Sequence, residues 1–194
     1  MDITSYLLGK NSSGGGGGGG LDWSAIGYDS TPQAIIDGYN HALEIQNNFV
    51  PATSMWSKYA NDRKLTFFPL VDTSISTSMS YMFSNCQGLI SISLIDTKNV
   101  KNFERMFSGC YSLKDVPQFD TSNATVFLNT FNLCYCLSDN SLNNILKMCI
   151  NATSYTGSKT FKILGFTSQD YPVSRIEALP SYQAFLDAGW TIGY

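Results

Sequence analysis

Charge is what this sequence has least of. Only 14% of its 194 residues are charged, 12 basic against 15 acidic, for a net charge of −3. No basic stripe is available to neutralise a phosphate backbone, which argues against nucleic acid as a partner. A single histidine, His41, and the lack of any G-x-S-x-G turn leave little material for a nucleophile with its base. No apolar run approaches the ~18 residues that a membrane span needs, so membrane insertion is not expected. The opening residues Met1 to Ser5 carry no cation, and Tyr6-Leu7-Leu8 is too short for the apolar stretch of a signal peptide. Folding in a reducing cytosol without Sec export is therefore the expectation. The five cysteines are an odd number, which argues against a closed disulfide framework.

What is present is enough for a core. Apolar residues make up 43% of the chain and aromatics 13%, too much for a disordered polypeptide. The length predicts one domain of roughly 150 residues plus a tail. Polarity comes from 24 Ser, 15 Thr and 15 Asn rather than from charge, and 12 of the 15 acids are Asp, a residue of turns and caps. Such a surface suits a repetitive, turn-rich architecture.

Residues 1–20 read as an anchor peptide followed by a tether. Ile3, Tyr6, Leu7 and Leu8 precede seven consecutive glycines, Gly14 to Gly20. The glycines lose the most backbone entropy on folding and offer nothing to pack. As a coil they span roughly 15 Å; the other reading is extended polyglycine packed between subunits. Residues 21–57 are expected to form an N-terminal helical cap. Ser30-Thr31-Pro32 starts a helix over about 32–47, with Ile35, Ile36, Tyr39, Ala42 and Leu43 on its apolar face. His41 lies off that stripe and is expected to be solvated.

The body carries an internal repeat. Phe83, Phe107 and Phe131 are 24 residues apart, as are Cys86, Cys110 and Cys134, then Leu89, Leu113 and Leu137, and Asp72, Asp96 and Asp120. Stepping back 24 gives Tyr59 and Leu65. Leu65, Phe68 and Leu70, like Leu89, Ile92 and Leu94, fit L-x-x-L-x-L, a short strand with alternate residues turned inward; Gln118 departs from it. Met79, Met82 and Phe83, like Val100, Phe103, Met106 and Phe107, have helical spacing. The predicted fold class is α/β: a leucine-rich-repeat solenoid of about four 24-residue strand-turn-helix units over 58–153. Its parallel sheet should be roughly 20 Å long. A longer helix at 141–150, a strand at 161–166, a helix from Pro180-Ser181 and a closing strand at 189–194 follow. Residues 154–194 are assigned as the C-terminal cap, so that both ends are covered.

The segments MFSNCQGLISISLIDTKNV and MFSGCYSLKDVPQFDTSNA closely resemble the BspA-like leucine-rich repeats of bacterial surface proteins and prophage-encoded proteins. Met82-Phe83, Cys86, Leu89, Asp96-Thr97 and Asn99 carry the resemblance, with their counterparts 24 positions later. It covers about residues 58–137. The bracketing SYLLGK-polyglycine and GWTIGY look like those of phage-encoded members. The resemblance implies adhesion or display without catalysis and without cofactors. Its cell-surface members usually carry signal peptides.

Other chemistry is weakly supported. Three recurrent aspartates are expected to make the same turn rather than a glycosidase pair. Cys134-x-Cys136 with Cys149 offers thiolates to a metal, but typical structural zinc sites use C-x-x-C pairs and a fourth ligand. Free buried thiols are the reading adopted, with a disulfide between stacked units as the alternative. The glycine run lacks the Lys and Ser/Thr of a phosphate loop. The binding face is placed on the outward strand positions Phe67, Pro69, Ser91, Ser93, Asp115 and Pro117, which suit a host-surface protein or glycan. The expected function is a phage or prophage virion component, structural or decorative. Its N-terminus would attach to other virion proteins or sister subunits in an oligomer. A bacterial cell-surface adhesion protein is the alternative.

Overall fold

The computed structural model describes residues 32–162 and 173–193. The anchor residues Ile3, Tyr6, Leu7 and Leu8, and the glycine run, lie outside them. Helix α1 (Pro32–Asn48) begins at the proline, where a missing N–H costs no hydrogen bond. Its buried side is Gly38, Ala42 and Ile45, whereas Ile36 is half exposed. Gly38 is required there, because a Cβ would collide with the Thr66 side chain. Far along the chain, α2 (Asp139–Asn151) is capped by Ser138, whose hydroxyl accepts from the Ser141 N–H, and it buries Leu142, Ile145, Met148 and Cys149. Two short helices, α3 (Val173–Glu177) and α4 (Tyr182–Asp187), pack on α2. Arg175 ties α3 to α2 by donating to Asp139 at 2.7 Å.

The expected leucine-rich-repeat solenoid of four strand-turn-helix units on one parallel sheet is not what the chain forms. Strand β1 (Phe67–Phe68) pairs in parallel with β2 (Ser91–Ile92), and that sheet has only these two strands. The second sheet, β3 (Thr160–Lys162) with β4 (Thr191–Gly193), is separate and also two-stranded. Beyond β2 only an isolated bridge joins Ser91 to Asp115. Proline is a reason the sheet stays short. Pro69 and Pro117 lie just past the paired positions and have no N–H to donate to a ladder. Leu70 and Leu94, read as inward, are 61% and 60% exposed. The inward position is one residue later, at Ile95 and Phe119.

The predicted repeat helices are absent for a different reason. The segments 54–61, 78–85 and 102–109 are tight turn ribbons, and 126–133 repeats their left-handed residues. Ser57, Tyr81, Arg105 and Asn129 have positive φ, and so do Asn61, Asn85, Gly109 and Leu133, four residues further on. A left-handed residue at every fourth position cannot belong to an α-helix of L-residues. The N–H groups of Lys58, Ala60 and Asp62 instead close short turns onto Met55, Ser57 and Tyr59. Those of Met55, Ser57, Tyr59 and Asn61 reach forward to the carbonyls of Ser78, Ser80, Met82 and Ser84 at 2.8 to 3.1 Å. The same pattern recurs between 79–85 and 102–108, and between 103–109 and 126–132.

The 24-residue step therefore decides which side chains touch, although not through the architecture expected of it. Tyr59, Phe83, Phe107 and Phe131 form a column of stacked rings with centroids 5.9, 5.3 and 5.3 Å apart. Phe83 and Phe107 are fully buried. At one end Phe161 packs on Phe131 and Trp190 on Phe127. At the other, α1 lies against β1.

Candidate functional site

The proposed face is partly assembled. Phe67, Ser91 and Asp115 stand side by side, because Phe67 pairs with Ser91 and Ser91 bridges to Asp115. Ser93 and Pro117 are half buried like those three, but Pro69 is buried. The row therefore presents a shallow surface of mixed polarity. A more distinct concavity lies just past it, where the backbone leaves the strands.

That concavity is an open groove of about 510 Å³, rimmed by Leu70, Leu94, Gln118, Lys98 and the carboxylates of Asp72, Asp96 and Asp120. Each aspartate makes the same local turn. Its Oδ1 accepts the N–H two residues on, from Ser74, Lys98 and Ser122, at 3.0, 3.0 and 2.9 Å. The threonine that follows is buried and reaches the next layer: Thr73 donates to the Asp96 carbonyl at 2.7 Å and Thr97 to that of Asp120 at 2.9 Å. Asparagine binds the layers from the other direction, Asn99 donating to Ser74 O and Asn123 to Lys98 O. Asp-Thr-x-Asn is thus a turn that stitches layers together.

These bonds also fix charge. The Ser74 N–H, then the Ser74 hydroxyl, hold the Asp72 carboxyl below its ordinary value. Asp96 is held down first by the Lys98 N–H and then by the Lys98 side chain, whose Nζ lies 3.0 Å from Oδ2. Both are anionic at neutral pH. The groove offers two exposed leucines beside a row of carboxylates, a combination that fits a segment carrying apolar side chains and a cation.

The remaining candidates fall elsewhere. His41 is not solvated as expected; its Nε2 is 2.6 Å from Asp62 Oδ2 and both side chains are mostly covered. Asp62 also accepts the N–H groups of Lys64 and Leu65, so the pair locks α1 onto the first layer. All five cysteines are free thiols. Cys86, Cys110 and Cys134 donate to the carbonyls of Tyr59, Phe83 and Phe107 at 3.0, 3.0 and 3.2 Å. Burial pushes Cys86 up to about 12 and Cys110 well above the ordinary thiol range, which makes them poor nucleophiles. Among the described residues no cluster of His, Cys, Asp or Glu is disposed to hold a metal ion. Sequence reasoning missed Leu70, Leu94 and the groove; the prolines that interrupt the strands were the available signal.

The stacked turn ribbons and their Asp-Thr-x-Asn stitches define a layered, hydroxyl-rich scaffold. Residues 52–161 match a family described as "Mycoplasma protein of unknown function, DUF285". The match spans more than half of the chain, and the chain belongs to that family. No curated protein and no solved structure matches it.

Proposed function

We propose that the protein is a non-catalytic, BspA-like binding module, carried on a phage or prophage particle through its N-terminal segment, that offers the Leu70–Leu94 groove to a host-surface protein. The observation that carries this reading is the pairing of two exposed leucines with the row of Asp72, Asp96 and Asp120 on one groove. Large apolar side chains exposed next to each other mark contact surfaces. The carboxylate row gives the contact a preferred charge. The BspA-like assignment rests on the motifs around Met82-Phe83, Cys86 and Asp96-Thr97. The virion assignment rests on the apolar residues Ile3, Tyr6, Leu7 and Leu8, which the glycine run separates in sequence from the repeats.

A second reading has one observation in its favour. The family description names a bacterium rather than a virus, which favours a cell-surface adhesion protein. Immunogold labelling separates the two, since label on purified particles supports the first and label on particle-free cells the second. The binding claim is tested with labelled full-length protein on host cells. Binding should be lost after protease treatment of the cells and fall at least tenfold in a Leu70→Asp/Leu94→Asp double variant. It should also weaken with salt. Undiminished binding by the double variant, or loss only after periodate oxidation of surface glycans, would overturn it.

A further inference from the structure

The ribbon half is electrically polar along the stacking axis. The N–H groups of Met55, Ser57, Tyr59 and Asn61 donate upward to the second layer, and their counterparts one and two repeats later donate to the third and fourth. All twelve bonds, 2.7 to 3.1 Å long, point the same way. A trans peptide that donates upward sends its own carbonyl downward. The peptide dipoles therefore add along four parallel columns, as they do in an α-helix. The first layer is the carbonyl end and carries negative partial charge.

That end is bare. The carbonyls of Ser54, Trp56, Lys58 and Ala60 accept no hydrogen bond among the described residues, like the last four carbonyls of an uncapped helix. Trp56 stands in this row 66% exposed, whereas its counterpart one layer up, Ser80, is 5% exposed. Lys58 is the only charged residue of 54–61, yet its ammonium is turned elsewhere. It lies over the Phe49 ring at 4.8 Å and donates to the Val50 carbonyl at 3.2 Å.

A second copy of the chain cannot supply what this row requires. Turned bottom to bottom, two copies would set carbonyl against carbonyl. Stacked head to tail, a copy would have to present the N–H groups of Phe127 and Phe131, whose buried rings already carry Trp190 and Phe161. A row that only accepts, is negative and includes an exposed indole calls for a planar cation that only donates. Arginine meets each requirement, since its guanidinium has five N–H donors, no acceptor and a permanent charge, and stacks on aromatic faces. We propose that the carbonyl row of the first ribbon, together with Trp56, docks arginine side chains of a partner protein. This contact lies at the end of the stack and does not depend on what the groove binds.

Nuclear magnetic resonance on the full-length protein tests it, with the peptide acetyl-Gly-Arg-Gly-Arg-Gly-amide as the probe. The carbonyl carbons of Ser54, Trp56, Lys58 and Ala60 and the Trp56 indole should shift together as peptide is added. Affinity should fall at least about fivefold when lysine replaces arginine in the peptide, because the stacking plane is lost. Trp56→Ser should lower it as much, and Trp56→Tyr should keep most of it. The amide shifts of 79–109 should stay in place in both variants, which separates lost docking from lost folding. Shifts confined to the groove residues around Leu70 and Leu94 would overturn the proposal. So would equal affinity for the lysine peptide, or binding that survives Trp56→Ser.

Discussion

In the ribbon half of the molecule, backbone bonds at every second residue join each layer to the next, from Met55 through to Asn132. In the strand half, regular pairing is confined to Phe67–Phe68 against Ser91–Ile92, extended by the bridge from Ser91 to Asp115. The difference follows from which groups each half has to satisfy. Left-handed residues let the ribbon alternate its N–H groups between its own turn and the neighbouring layer. Pro69 and Pro117 deny their own strands that option, and in this half Leu70 and Leu94 are left exposed. One half holds the stack together and leaves the other free to vary its surface. The groove sits on the half with fewer obligations.

Alkaline pH should separate the halves most strongly. Cys86, Cys110 and Cys134 end three successive ribbons, and burial raises all three thiols. In the unfolded chain they ionise near pH 8.5. Their folded-state values are higher, so the stability they confer is fully present below that pH and is lost as pH rises toward 12. Each thiol should cost on the order of 1 kcal/mol per pH unit in that window. Tyr59, pushed up to about 12 by burial and then by Asp62, adds to the loss at its upper end. Denaturant melts between pH 8 and 10.5 should show a steep decline, and a Cys86→Ala/Cys110→Ala/Cys134→Ala variant should flatten it. An equal slope in the variant would remove the thiols as the cause.

A single substitution sharpens the same contrast. Phe107 is fully buried in the ring column between Phe83 and Phe131. Its replacement by Ala should cost about 3–5 kcal/mol, whereas Leu94→Ala on the groove rim should stay within about 0.5 kcal/mol. Chemical denaturation of the two variants measures both. A rim substitution as costly as the column substitution would mean that Leu94 supports the core.

How much of this could be read from the residues depends on how local the cause is. Helix α1, with its proline start, and α2, with its 3.6-residue apolar pattern, were legible, as were α4 after Pro180-Ser181 and the strand containing Thr191–Gly193. Contact between residues 24 apart was legible too, because identical side chains recur at that step. The ribbon was not. Met79, Met82 and Phe83 have helical spacing, and the left-handed residues that forbid the helix include Tyr81, Arg105 and Leu133, which carry no sequence signature. Of the eight, Gly109 and the asparagines Asn61, Asn85 and Asn129 are of types that favour the conformation, and asparagine at such spacing is equally at home in a loop. The groove was hidden behind the same error, since reading Leu94 as inward concealed the rim. Pairing of His41 with Asp62 spans 21 positions and leaves no local trace. Helix α3 has five residues and no cap to mark it.

A smaller loss than that of Phe107 concerns the stitches on the groove floor, which belong to neither half alone. Thr97 is buried, and its hydroxyl donates to the Asp120 carbonyl at 2.9 Å. Valine has the same shape without the donor, so Thr97→Val isolates the hydrogen bond from the packing. Its loss should cost about 1 kcal/mol. The carbonyl it leaves belongs to an exposed residue, and water can take over part of the bond. Thr73→Val removes the shorter bond to the Asp96 carbonyl, 2.7 Å, and should cost at least as much. If the stitches hold Asp72, Asp96 and Asp120 in one row, both variants should also weaken cell binding by more than their stability loss explains. Urea denaturation gives the first quantity and a binding isotherm at a temperature well below unfolding gives the second. A stability loss of about 1 kcal/mol with unchanged binding would leave the stitches as structural bonds and detach the carboxylate row from recognition.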